Sequence, residues 1–301
     1  MPTGYTTPLY ILPFDHRGSF LKKLYGTSTA TAEQTTEIAH LKWIIYKGFC
    51  AAIESGNVPK GNAAILVDEQ FGDAVLRDAK TQGYMTAVCT EKSGQDEYDF
   101  EYGDGFIEHI EQYQPTFVKA LLRYNPDGDP ALNARQRQHL KKLSDYCQST
   151  GYKFLIEPLI PATEQQLASV GEDERRYDTE IRPGLAIRMI QELQDGGVDV
   201  DIWKIEGMEE PERYQETAAQ ARRGGRGDVG IIVLGRGSDT MQVEHWLTAG
   251  RNIPGVIGFA IGRTIFWEPI ISFRDGKITE EAASQEIANR YSHFYRVFTG
   301  Q

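Results

Sequence analysis

Cysteine is scarce: Cys50, Cys89 and Cys147 are the only three in 301 residues. They lie too far apart for a thiolate metal centre, and an odd number leaves no closed disulfide set. A reducing cytoplasm is therefore the expected setting. Histidine is almost as rare, with six residues and neither an HxH nor an HExxH spacing. No metal, and no other cofactor, is expected in the chemistry. Positive charge is in deficit: Lys and Arg number 32 against 43 Asp and Glu, a net charge of −11. Such a field repels nucleic acid and anionic membrane, and an anionic metabolite needs a local cluster of cationic or amide donors. No apolar run reaches membrane-span length. The amino-terminal stretch MPTGYTTPLYILPFD lacks the basic region and long apolar run of a secretion signal.

What is present is a rhythm. Short apolar runs recur at 9–15 (LYILPFD), 63–69 (AAILVDE), 84–92 (YMTAVCTEK), 116–124 (TFVKALLRY), 152–160 (YKFLIEPLI), 200–207 (VDIWKIEG), 229–237 (VGIIVLGRG) and 256–264 (VIGFAIGRT). They are apolar on both faces, as parallel strands covered by helices should be. The stretches between them carry helical periodicity. Ile38, Leu41, Ile45 and Phe49 form one stripe, Gly151 and Gly196–Gly197 are helix stops, and Ser238 or Asp239 is a cap. Eight strands alternating with helices predict a (β/α)8 TIM barrel of the α/β class, one domain over 1–301. A doubly wound open sheet is the alternative, but it requires an edge strand and no run is polar enough. The last helix, near 279–298, is expected to cover one barrel end or to meet a second subunit, so a homo-oligomer stays open. Loops 90–104 and 161–180 are long and charged, and both follow strands. They belong on the catalytic face, as lids or as solvated surface. The stretch RRGGRGD (222–228) reads as a glycine-rich connection.

In a barrel, the reacting groups come from the carboxy-terminal ends of several strands. Those ends carry Asp15, Asp68 or Glu69, Glu91 with Lys92, Lys119 with Arg123, Glu157, Lys204, Arg236 and Arg263. Val198, Val200, Ile202 and Lys204 alternate in one phase, which puts a lysine on an apolar face. Its bland role is an ion pair with Glu157 or Asp15. Its chemical role is an amine nucleophile that forms a Schiff base with a ketone. An unperturbed lysine, pKa about 10.4, is protonated at neutral pH. Apolar walls and a neighbouring Lys119 are expected to lower that value. Glu157, after four apolar residues, is expected to have a raised pKa and to shuttle protons. Asp15 orients a hydroxyl or holds Lys119, and His16 and Arg17 beside it are candidate substrate contacts, as is Arg123. Gly235–Arg236–Gly237 and Gly262–Arg263 end the last two strands, where barrels most often hold phosphate.

The motifs FDHRGSF, VDEQFG, EKSGQD, FVKALLRYN, FLIEPL, VDIWKIEG and GFAIGRTIFW fall in order along nearly the whole chain. Together they resemble class I aldolases of the tagatose-bisphosphate aldolase type. The nearer resemblance is to the 5-dehydro-2-deoxyphosphogluconate aldolase domain found fused to inositol-pathway kinases, here expected to stand alone. The resemblance implies a barrel that cleaves a phosphorylated ketose or keto sugar acid, with Lys204 as Schiff-base lysine and Glu157 as acid/base. It also implies Lys119 as the second lysine, Asp15 as the first-strand aspartate, and Gly262 with Arg263 at the phosphate. Two positions depart from the tagatose pattern: His16 replaces a glutamine, and Gly235–Arg236–Gly237 replaces a serine–alanine–glycine segment. An arginine at 236 is expected to receive a substrate carboxylate, which suits 5-dehydro-2-deoxygluconate 6-phosphate and a place in inositol catabolism. The competing classes are a non-catalytic sugar-phosphate-binding barrel and a metal-dependent lyase or isomerase.

Overall fold

The computed structural model describes residues 3–301. Eight parallel strands close on themselves in chain order. They are β1 (Leu9–Pro13), β2 (Ala63–Leu66), β3 (Met85–Cys89), β4 (Phe117–Arg123), β5 (Lys153–Leu159), β6 (Ile202–Glu206), β7 (Gly230–Leu234) and β8 (Val256–Ala260). β1 pairs with β2 on one side and with β8 on the other, Leu9 standing opposite Gly258. This is a (β/α)8 barrel, and the open doubly wound sheet is excluded because β1 has no free edge. Each expected apolar run contains one of these strands.

Alternation within the strands builds two cores. Ile11, Leu66, Ala87, Cys89, Leu155, Ile202 and Ile232 point into the barrel, while the second set packs between sheet and helices. At the amino-terminal end of the strands Tyr5 meets Phe117 edge to face at 5.2 Å and plugs the barrel. At the opposite end the inward Ala260 is small and lines the open mouth.

The expected strand at 198–207 is shorter than its alternation implies. β6 starts at Ile202, and Val198 and Val200 pack in the outer core, so only Ile202 and Lys204 share the inward phase. The cause is Asp201, 1% exposed. Its carboxylate accepts from Gly4 N (2.7 Å), Phe154 N (2.8 Å) and Lys153 Nζ (3.0 Å). Those fixed donors set the chain's direction before the ladder begins.

The closing helix, Glu280–Thr299, lies neither over a barrel end nor free. It packs along helix Ala32–Glu54, where Gly48 leaves room for Ile287, and Tyr291 donates to the Tyr10 carbonyl at 2.7 Å. Its aromatic residues are part of the barrel's outer wall. Loop 161–180 is largely helical. Thr163 and Gln166 form a reciprocal capping box at Glu164–Ser169, and Tyr177 donates to the Ile160 carbonyl at 2.8 Å. Asp239 is the cap of helix Thr240–Gly250. No helix among the described residues is long and apolar enough to cross a membrane.

Asp201→Ala strands two backbone N–H groups and a lysine, at about 1–3 kcal/mol per buried unsatisfied group. Urea unfolding should show a midpoint lowered by the equivalent of about 2–5 kcal/mol with an unchanged m-value. An unchanged midpoint would mean that the bends around Asp201 are set elsewhere.

Candidate active site

A cavity of about 490 Å³ opens at the carboxy-terminal mouth of the barrel. Its wall contains Asp15, His16, Arg17, Glu91, Lys92, Lys119, Arg123, Glu157, Lys204, Gly235, Arg236, Gly237, Gly262 and Arg263. The strands bring them together because each follows the inward phase of its own strand or the turn just beyond it. The second-strand candidates lie outside it: Asp68 is buried against Lys42, and Glu69 lines a separate cavity.

The centre is an alternating cluster of ammonium and carboxylate groups. Lys204 is 2% exposed and its Nζ lies 2.9 Å from Glu157 Oε2. The same oxygen is 3.1 Å from the Nζ of Lys119, which is wholly buried. Lys119 Nζ also meets Asp15 Oδ2 at 2.9 Å and Glu91 Oε1 at 2.6 Å. Burial opposes charge on Lys119, yet Asp15, Glu157 and Glu91 outweigh it and raise its pKa well above the ordinary lysine value. Lys119 is thus a permanently charged centre shared by three carboxylates, rather than a bare cation set against Lys204. Glu157 stands between the two lysines.

The raised pKa expected for Glu157 is corrected. Burial pushes its pKa up, but Lys119 and Lys204 outweigh that and hold it below the usual carboxylate value. Asp15 is lowered in the same way: burial raises it, and Lys119, Lys204 and His16 more than reverse the effect. The raised carboxyl is Glu91, where burial dominates Lys119. Its Oε2 accepts the Leu121 N–H at 3.2 Å. Glu91 belongs to the cluster and was legible, since Ala87, Cys89 and Glu91 continue one inward phase. Glu206 was equally legible, two residues beyond Lys204.

His16 is driven to a pKa of about 4 by burial, then by Arg263, Lys42 and Lys204, with Asp15 opposing. It is neutral at pH 7, and its buried Nδ1 has no hydrogen-bond partner. Arg17 is not free for a substrate. It donates to the Glu91 carbonyl and to Glu101 Oε2 (3.1 Å), tying β1's end to the loop after β3. Arg123 is half-exposed and donates to the Gln95 carbonyl at 2.8 Å, bracing the same loop. Arg236 is also committed, to Asp178 at 2.7 Å and Glu206 at 3.1 Å. Burial works against its charge, and those two carboxylates raise its pKa regardless.

Arg263 differs. It has no carboxylate within ion-pair distance among the described residues, and its Nη2 donates to the Arg236 carbonyl at 2.7 Å. It opens helix Arg263–Arg274, after Gly262. Gly237 (φ +75°) lies where a Cβ would sit 2.7 Å from the Arg263 guanidinium, and a Cβ on Gly262 would stand 2.3 Å from the Pro13 carbonyl oxygen. Glycine at both positions therefore lets an uncompensated guanidinium and a helix amino terminus share one corner, an arrangement suited to a phosphate. Three other groups fall within 4.8 Å of one another, Asp15, Cys89 and Glu91, but Lys119 already occupies the charge-balancing position between the two carboxylates.

A closed (β/α)8 barrel with a buried lysine–carboxylate cluster and a phosphate-type corner is the class that fold and geometry define. The chain belongs to the family described as "Uncharacterized protein conserved in bacteria (DUF2090)", whose model matches residues 3–301. It is similar to tagatose 1,6-diphosphate aldolase 1 of Enterococcus faecalis, 23% identical over 201 residues, 65% of this chain and 56% of that protein. It is also similar to tagatose 1,6-diphosphate aldolase 2 of Streptococcus mutans, 24% identical over 272 residues, 82% of this chain and 77% of that protein. Among solved structures, fructose-bisphosphate aldolase from Plasmodium falciparum superposes with a TM-score of 0.64 at 14% identity, covering 96% of this chain and 90% of that one. A Schiff-base-forming fructose-1,6-bisphosphate aldolase gives a TM-score of 0.57 at 11% identity, covering 97% and 94%. These structural likenesses establish the barrel.

A histidine lowered to about 4 stays neutral in the folded protein while the unfolded chain protonates near 6.5. Its contribution to stability is intact above about pH 6.5 and is lost as pH falls toward 4, where the unfolded state binds the extra proton. His16→Gln should remove part of this loss, on the order of 2 kcal/mol between pH 7 and 4.5. Urea unfolding of both proteins at those two pH values checks it; parallel losses would contradict the assignment.

Proposed function

We propose that the protein is a Schiff-base-forming aldolase, an aldehyde-lyase acting on a phosphorylated ketose or keto sugar acid. The observation that carries this reading is the buried Lys204 amine, 2.9 Å from Glu157 inside a cavity that also holds the unpaired Arg263. A buried lysine beside a proton acceptor is what imine chemistry requires. The aldolase names of the similar proteins support the same class.

In this mechanism Glu157 takes a proton from Lys204, and the free amine attacks the substrate ketone. Glu157 returns a proton to the carbinolamine hydroxyl, which leaves as water and gives the iminium. Asp15 accepts the proton of the substrate hydroxyl as the carbon–carbon bond breaks. The bonding electrons flow to the iminium, giving an enamine and an aldehyde. Protonation of the enamine and hydrolysis release the second product and restore Lys204. Lys119 holds Asp15 and Glu157 ionised in the resting site, so that each is ready to accept a proton, because its charge is fixed against them. Arg263, Gly262 and Gly237 hold the phosphate.

The preferred substrate is 5-dehydro-2-deoxygluconate 6-phosphate, giving dihydroxyacetone phosphate and malonate semialdehyde. Tagatose or fructose bisphosphate is the alternative, favoured by the names of the similar proteins. A substrate carboxylate received by Arg236 must replace Asp178, its 2.7 Å partner. A coupled assay for dihydroxyacetone phosphate release, run over these three substrates, separates them. Lys204→Met should lower kcat at least about a thousandfold, since the covalent route is lost. Arg236→Ala should raise KM for the keto acid without a matching fall in kcat. No release from any phosphorylated ketose, with the phosphate shown to bind, would favour a sugar-phosphate-binding barrel.

A further inference from the structure

Behind Arg17, on the outer side of the barrel mouth, lies a second cavity of about 670 Å³. Helix Glu69–Thr81, helix Phe106–Tyr113 and the end of loop 90–104 form its walls. Two side chains there are nearly out of water and incompletely paired: His109, 5% exposed, and Glu69, 8% exposed. His109 Nε2 and Glu69 Oε2 each lack a hydrogen-bond partner, and they face each other at 3.7 Å. That separation is too long for a direct hydrogen bond.

The remaining atoms of both groups are spoken for. Tyr102 donates its hydroxyl to Glu69 Oε1 at 2.7 Å. The Cys89 backbone hydrogen-bonds the His109 ring, and since Nε2 has no partner that bond falls to Nδ1. An Nδ1–H held by a backbone carbonyl leaves Nε2 as a lone pair aimed into the cavity. Two lone pairs then converge on one point, and their orientation is already set by neighbouring groups. Ligand bonds of about 2.1 Å from both atoms to a common centre would subtend roughly 120°, within the range of zinc-type coordination. A water placed at ordinary hydrogen-bond distances, about 2.8 Å from each, would have to span only about 80°, narrower than its own bond angle. An anion is disfavoured, because Asp73, Glu101 and Glu108 line the same walls against a single cation, Arg17, which is already paired with Glu101.

We propose that His109 Nε2 and Glu69 Oε2 bind one divalent transition-metal ion, with waters completing its coordination. One imidazole with one carboxylate favours zinc, cobalt, nickel or manganese over magnesium or calcium. The site lies outside the catalytic cluster and does not depend on the aldolase reading. It fixes the end of loop 90–104 through Tyr102, whose hydroxyl orients one ligand.

The test strips the full-length protein with EDTA and titrates it with Co²⁺, following visible absorption. Bound Zn²⁺ is counted separately by mass spectrometry after dialysis. The proposal expects one equivalent, a visible d–d spectrum without a thiolate charge-transfer band, and at least tenfold weaker binding in both Glu69→Gln and His109→Gln. Absence of binding, or affinity unchanged in two folded variants, would overturn it. A thiolate band would also overturn it, because it would place the ion on Asp15, Cys89 and Glu91. Should either variant fail to fold by circular dichroism, the wild-type cobalt spectrum still decides between these outcomes.

Discussion

The bridging of two buried ammonium groups by one carboxylate, Glu157 between Lys119 and Lys204, is the interaction on which the rest of the site depends. Burying two lysines and three carboxylates is costly unless each charge is met by another at short range. The barrel makes this affordable because adjacent parallel strands place inward residues a few ångströms apart at one height. Lys119 on β4 meets Glu157 on β5, which meets Lys204 on β6. Removing any one member would leave the others uncompensated, so the cluster behaves as a unit. Its charges are also unequal in function: Lys119 is locked among three partners, and Lys204 has one.

Under the proposed function, that asymmetry is what distinguishes the lysine that holds the cluster from the one offered as nucleophile. Lys119 sets the electrostatic background that keeps Asp15 and Glu157 ionised against their burial. Lys204 faces the open cavity with Glu157 as its neighbour. Around the mouth the same logic repeats for the arginines. Arg17, Arg123 and Arg236 are engaged by loops and carboxylates, whereas Arg263 has no carboxylate partner among the described residues and bonds only a backbone carbonyl. The two loops hold charged side chains in place over the mouth. Loop 161–180 does so from short capped helices that bring Asp178 to Arg236.

Most of the fold was legible because parallel strands buried on both faces write themselves as apolar runs, and helices between them carry glycine stops and caps. Strand parity also assembled Asp15, Lys119, Glu157 and Lys204 at one mouth. It failed at Val198 and Val200, where the tertiary bonds of Asp201 override alternation before the ladder starts. It could not reveal the direction in which each carboxyl of the cluster is shifted. Whether Glu157 is raised or lowered depends on distances to two lysines from different strands, and burial alone suggested the wrong sign. Glu91 and Glu206 were within reach of the same parity argument. Glu69 and His109 were not, since their meeting depends on how two outer helices pack, a relation that no local periodicity encodes.

The central claim is that Lys204, and no other amine, forms the covalent link to substrate. Incubation with dihydroxyacetone phosphate, reduction with sodium borohydride and peptide mapping by mass spectrometry test it directly. The account predicts a stable reduced adduct on the peptide carrying Lys204. An adduct on Lys119 instead, or none while the phosphate is shown to bind, would contradict it.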